Sequence, residues 1–524
     1  MSGMFEPKND KAVRKLAQTQ KDQKAKRKKR ITAITIITVL VIVSAVAITI
    51  NSSFIRRTIP VVTIDGIGFT AAEFEYYFNM EYSEYREFMS QFQGMEDLLP
   101  NTSRPLSSQI YNEETGETWA EFITSMAFAN MAELASLYNA AKAAGFELSQ
   151  EQKEELEYEL AMVEIQAMIS GFPTSDMLLQ RMFGNSMNER IYRKIMEFLS
   201  ISRNYSEHIR ESFSYTSDTL AAYYNENRDE FDAFNFRQMF ISTEINDEQT
   251  FEDEDDFEAA ISVAASEAYE KALEIAGSIS SEEDFINAAA NREDETFDPD
   301  STLNRMLSGW LEPEISEWLL EDTRAFGDTT VIYNEQGSLI IFFLSRDDNS
   351  YRTVGMRQIL FARDRINPAD FPEGEHDPGY QVALELAERE VQERAEYVYA
   401  LFTAMGENEN ALLELMEEHS DDDTEGGYYS NITMIPYQSQ YIMAMRVVPE
   451  IETWLFDEER AIGDSALIYT ADFGYHLIYF TGFGEIFSEL IADDRMRTRD
   501  HTAWLDSFTH GVPVKHAAFI LVHI

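Results

Sequence analysis

The 524-residue chain has no cysteine, which excludes disulfides, cysteine-ligated metals, thiol catalysis and attachment through a lipid-modified cysteine. Its eight histidines include no H-E-x-x-H and no pair at metal-ligand spacing, and there is no G-x-x-x-x-G-K-[ST] loop. No metal and no cofactor are therefore expected. Basic residues are scarce, with 42 Lys and Arg against 94 Asp and Glu for a formal charge of −52. Eleven of the basic residues lie in residues 1–30 beside only three acids, a local charge of +8 that leaves −60 on the remainder. A body of that sign disfavours nucleic-acid binding, which draws its affinity from counterions released by a basic face.

Uncharged apolar runs are also rare, and the exception is ITAITIITVLVIVSAVAITI, residues 31–50. At 1.5 Å per residue these twenty positions cover the ~30 Å hydrocarbon core of a bilayer. The expectation is a transmembrane helix. The preceding KAKRKKR cluster belongs on the cytoplasmic side by the positive-inside rule. The protein is then a single-pass protein of the cell membrane, with residues 1–30 cytoplasmic and the body from Asn51 extracytoplasmic. A cleaved signal peptide ending near Ala45-Val46-Ala47 is the competing reading.

The rest of the chain exceeds what one hydrophobic core can organise. VVTIDGIGFT reads as a strand pair turning at Asp65-Gly66. Helical patterns follow, with Gly145 as a C-cap and Ser149 as an N-cap carrying Gln152 at its capping-box position. Residues 55–233 thus form a mostly helical domain rich in Tyr, Phe and Met. Beyond it the chain repeats itself. PEISEWLLEDTRAFGD at 313–328 and PEIETWLFDEERAIGD at 449–464 share nine of sixteen residues at an offset of 136. RQMF at 237 matches RQIL at 357, GDTTVIY matches GDSALIY, and Gly337 matches Gly474. Two copies of one α+β unit, residues 234–347 and 353–485, are expected, followed by a C-terminal tail over 486–524 that is a candidate strand completing the helical domain.

The second copy has Arg357-Gln358-Ile359-Leu360 on its first strand, Ser420-Asp421-Asp422 followed by Gly426-Gly427, and Gly474-Tyr475-His476-Leu477 on its last strand. This pattern resembles the parvulin (PpiC-type) rotamase fold, a four-stranded antiparallel sheet with helices. The upstream domain resembles the chaperone domain of the PrsA, SurA and PpiD group of extracytoplasmic foldases. The fold class implied is α+β multidomain: a transmembrane helix, a SurA-N-like helical domain and two tandem parvulin-like domains. The activity implied is peptidyl-prolyl cis-trans isomerisation, acting on unfolded or partly folded secreted proteins that contain X–Pro bonds.

By the same resemblance His476, Asp422 and Gln358 take the catalytic positions, and Val447, Ile451 and Phe456 line the proline pocket. Gln358 stands where the family has a first-strand His. The first copy departs further, with Gln238 and Leu339 at the two His positions and Asp294 as its candidate acid, so it reads as a binding or structural copy. Glutamine both donates and accepts, so Gln358 can bridge His476 to a carboxylate, but it does not titrate. The competing readings are a lone imidazole satisfied by a backbone partner and, for residues 421–423, a solvated acidic turn. A second functional reading keeps both copies as inactive scaffolds of a holdase whose aromatic and Met-rich helical domain binds clients; an ordinary helix-bundle core is the preferred explanation of that composition. A surface structural protein would fit the acidity but leaves the repeats without a purpose.

Overall fold

The computed structural model describes residues 35–39, 53–91, 99–243, 254–291, 299–334, 336–439, 442–509 and 511–516. The spanning helix expected over 31–50 is corrected here, together with the single-pass membrane placement drawn from it. Among the described residues no helix is long and apolar enough to cross a membrane. Within 31–50 only residues 35–39 are described, as helix, and five residues at 1.5 Å rise cover about a quarter of a ~30 Å hydrocarbon core. The rest of that segment and the basic residues 1–30 lie outside the described residues.

The chain divides into two compact units, residues 214–498 and the segments on either side of them. In the first unit a short helix, Ser53–Thr58, precedes β1 (Pro60–Ile64) and β2 (Ile67–Thr70), which are joined through Asp65 and Gly66 at φ 47° and 79°, the left-handed pair that an Asp-Gly hairpin demands. Thr70 ends β2 and caps the helix Ala71–Ser90 in a capping box with Glu73. A short hairpin, β3 (Ile110–Asn112) and β4 (Glu117–Thr118), leads into the helix Trp119–Ala144, which Gly145 closes at φ 69°. Ser149 and Gln152 form the expected capping box on Gln150–Ile169. The helices Ser175–Phe183 and Glu189–Ser212 complete the unit. Phe74, Phe78, Ile123, Met131 and Leu199 pack with Val62 and Ile64 of β1 in one core. The C-terminal segment returns to this unit as β15 (Val514–His516), antiparallel to β1 with Ile64 opposite Val514.

The second unit holds two four-stranded antiparallel sheets of the same order. The first runs β6-β5-β8-β7, from β5 (Ala233–Ser242), β6 (Leu303–Leu307), β7 (Thr329–Asn334) and β8 (Gly337–Asp347). The second runs β10-β9-β14-β13, from β9 (Arg352–Ala362), β10 (Tyr428–Ile432), β13 (Ser465–Thr470) and β14 (Gly474–Ile486). Two helices cover one face of each sheet: Glu254–Ser278 and Glu282–Ala290 in the first copy, Pro378–Ala404 and Glu409–His419 in the second. One short helix covers the other face, Pro313–Leu319 or Pro449–Leu455. The edge strands β6 and β10, and the two-residue pair β11 (Tyr437–Gln438) and β12 (Met443–Ala444), add to the elements expected from sequence.

The repeated phrase encodes a corner that precedes the last hairpin. Arg324 lies over the Trp318 ring at 3.8 Å and Arg460 over Trp454 at 3.9 Å. Asp328 accepts from Ala325 N–H at 3.0 Å, as Asp464 does from Ala461 at 2.9 Å. Gly327 and Gly463, at φ 92° and 97°, donate to the carbonyls of Phe343 and Phe480. Such a φ is open to glycine and strained for any other residue.

The two copies are joined inside this unit. Glu452, buried in the second copy, accepts from Arg305 of the first at 2.6 Å and from Arg446 at 2.9 Å. A further core gathers Leu220 and Tyr224 of the helix Ser217–Glu226 with Leu307, Tyr437, Phe487 and Ile491. That helix, read from sequence as part of the helical domain, therefore packs with the tandem sheets.

Candidate functional site

Side chains alternate along strands, so Met356 and Gln358 of β9 share a face with His476, Ile478 and Phe480 of β14 and with Ile468 and Thr470 of β13. This is the face covered by Pro449–Leu455, where Met356, Ile478, Phe480, Ile451 and Leu455 form a buried cluster. Gln358 pairs with Ile478 and His476 with Leu360, which leaves Gln358 and His476 diagonal neighbours.

A chain of hydrogen bonds runs through them. The Gln358 Nε2 donates to Asp422 Oδ2 at 2.7 Å. Because a carboxylate only accepts, this bond fixes the amide, and Gln358 Oε1 must accept from His476 Nδ1 at 2.9 Å. The imidazole is therefore the Nδ1–H tautomer, and its bare Nε2 accepts from the Thr470 hydroxyl at 2.9 Å. From the other side the Tyr429 hydroxyl donates to Asp422 Oδ2 at 2.7 Å. All the donors between Thr470 and the carboxylate point the same way.

Local backbone chemistry places the acid. Ser420, just past the helix Glu409–His419, accepts at its Oγ from the N–H groups of Leu360 and Asp422 at 3.3 and 3.1 Å, which pins the loop to β9. Asp421 turns outward to the Ala362 N–H and Arg394, and Asp423 is exposed. Gly426 and Gly427, at φ 59° and 52°, then carry the chain across β9. A Cβ on Gly427 would lie 2.4 Å from the Gln358 carbonyl oxygen. This crossing brings Tyr429 onto the acid.

The electrostatics keep the imidazole neutral and the carboxylate charged. Burial lowers the His476 pKa to about 4 against the opposing pull of Asp422. Burial pushes Asp422 up, but the hydrogen bonds from Tyr429, Thr424 and Gln358 outweigh it and hold the group below the ordinary carboxylate value. Burial and the Asp422 charge raise Tyr429.

All six residues singled out in the second copy thus share one sheet face. Their exposure differs. Gln358 and His476 are 8% and 5% exposed and Ile451 is 2% exposed, so these three lie beneath the surface, and Ile451 is a floor residue of the core. Asp422, Tyr429, Val447 and Phe456 are half-buried and reach solvent. Tyr429 belongs both to the polar chain and to the apolar cluster. Thr470 and Tyr429 escape a reading based on spacing alone; the signals for them were alternation along β13 and the Gly-Gly crossing.

In the first copy Gln238 is half-buried and Leu339 joins an apolar cluster with Leu311, Ile315 and Leu320. By the 136-residue offset these last three correspond to Val447, Ile451 and Phe456. The apolar face is kept, and Leu339 has no atom to continue a polar chain. Asp294 lies outside the described residues. Among the described residues no cluster of His, Asp and Glu could hold a metal ion. No protein-family model matches the chain, and no curated protein matches it.

Proposed function

We propose that the second copy is a peptidyl-prolyl cis-trans isomerase site acting on unfolded or partly folded polypeptides that contain X–Pro bonds. The observation that carries this reading is the Gln358 amide spanning His476 and Asp422 on the sheet face that also holds Val447, Ile451 and Phe456. Rotation about an X–Pro bond makes and breaks no covalent bond, and its barrier of about 18–20 kcal/mol comes from amide resonance. The prolyl ring rests on the half-exposed Val447 and Phe456, away from water. As the amide twists, its nitrogen regains a lone pair. The Tyr429 hydroxyl, held at the surface by its bond to the ionised Asp422, turns its single proton from the carboxylate to that nitrogen as the lone pair forms, a bond made in the transition state and absent before it. Gln358, His476 and Thr470 lie behind this pair and act as positioning residues.

The test is a protease-coupled or exchange-NMR assay on a proline peptide with the whole chain and with Tyr429→Phe and Asp422→Ala. Acceleration by the wild type, reduced about tenfold or more in the variants, is the expected outcome. Absence of acceleration by the wild type removes the isomerase reading.

A further inference from the structure

The helix Gln150–Ile169 buries only Leu156 and Ala167, yet it is not a polar surface helix. Tyr158, Met162, Ile165, Met168 and Ile169 stand exposed on it, and Met177 and Met182 are exposed on the helix Ser175–Phe183 that follows. A cluster of large apolar side chains in water costs solvation free energy unless something covers it, and on a soluble surface it marks an interaction site. Beneath these residues a groove of about 670 Å³ opens between the helices, with Leu179, Met196 and Leu199 in its floor and Tyr158, Met162 and Met182 in its walls. That volume lies within the ~300–1,000 Å³ of pockets that accept ligands. Methionine walls adapt to side chains of differing shape.

The rim supplies the second constraint. Gln150–Ile169 carries six glutamates against one lysine, and Glu155 and Glu159 stand at the groove beside a single cation, Arg203. An occupant must therefore be apolar toward the floor and basic at its flanks. A bilayer with anionic headgroups is repelled by this rim, and a second copy of the chain would bring the same glutamates face to face. We propose that the groove binds a cationic amphipathic polypeptide segment, with aliphatic residues seated between Met162 and Met182 and Lys or Arg residues against Glu155 and Glu159. This site lies in the helical unit and does not depend on isomerase activity in the tandem sheets.

Fluorescence anisotropy on the whole chain tests it, with a labelled amphipathic Leu/Lys helix peptide and a Leu/Glu peptide of the same pattern as probes. The Leu/Lys peptide is expected to bind at least about tenfold more tightly at low salt, and the double variant Met162→Glu/Met182→Glu to weaken it by at least about tenfold. Those substitutions add two negative charges, so attraction to acidity alone predicts tighter binding in the variant. Unchanged or tighter binding by the variant, equal binding of the two peptides, or uptake of the protein onto anionic vesicles in place of peptide binding would overturn the proposal. Met162 and Met182 are 37% and 51% exposed. If circular dichroism shows that the charged pair unfolds the helices, Met162→Gln/Met182→Gln gives the same readout with a smaller perturbation.

Discussion

Gln358 is the pivot of the candidate site because an amide has a donor and an acceptor that cannot exchange roles once one end is fixed. Asp422 fixes the donor end, so the acceptor end selects the His476 tautomer. Replacing Gln358 by Leu leaves the buried His476 Nδ1–H without its acceptor, and urea unfolding should show a loss of about 1–3 kcal/mol. A variant as stable as the wild type would mean that the bond contributes nothing. The neutral state of His476 carries its own signature. Its folded pKa of about 4 lies below the ordinary 6.5, so between these values the unfolded chain holds a proton that the folded chain has shed. Stability from this group is full above pH ~6.5, falls as the pH drops toward 4, and is wholly lost below both values; the gap corresponds to about 3 kcal/mol. Asp422, held low, contributes in addition and is lost only at pH values below the ordinary carboxylate range. Urea unfolding at pH 7.5 and 4.5 checks this, since the wild type should lose about 2.5 kcal/mol more than His476→Gln over that interval. Equal losses would show that the imidazole is not buried neutral.

At the scale of elements, the corner made by Trp, Arg, Gly and Asp is the part of the fold written twice in nearly the same letters. Gly463→Ala and Gly327→Ala should each cost about 1–3 kcal/mol, because both glycines sit at a φ that strains a side chain. Similar costs in thermal unfolding would support the equivalence of the copies, and a neutral effect in one would refute it. This corner was legible because its contacts are local: the stacked Arg follows its Trp by six residues, and the capping Asp follows Arg by four. The strands β6 and β10 were not legible. LNRML and YYSNI are short, lie at the edges of their sheets, and lack a clean apolar alternation. The candidate site divides the same way. Gln358 as a bridge follows from the chemistry of an amide, whereas the Tyr429 bond to Asp422 depends on where two left-handed glycines carry the chain, which no periodicity records.

Over the whole molecule the chain leaves the first unit at residue 213 and re-enters it at residue 499, so the unit bearing the tandem sheets is an insertion between two segments of the other. The returning segment is bound by specific contacts as well as by β15. His501 is buried with its Nε2 2.9 Å from Ser206 Oγ, and Trp504 meets Tyr205 edge-on with ring centroids 6.0 Å apart. Of the tail over 486–524, read as a candidate strand, β15 takes only Val514–His516, residues 517–524 lie outside the described residues, and the helix Phe487–Thr509 was not legible. Insertions of this kind separate the stability of the host from that of the guest. Residues 214–498 expressed alone should therefore unfold in one cooperative transition and keep the isomerase activity proposed for them. Residues 53–213 expressed alone lose one of the two strand partners of β1 and the cover over Tyr205, and should melt well below the same segment fused through a short linker to residues 499–516. Differential scanning calorimetry of the three products decides the matter: if 53–213 melts at the same temperature with and without the returning segment, that segment is an appendage, and the insertion topology has no energetic consequence.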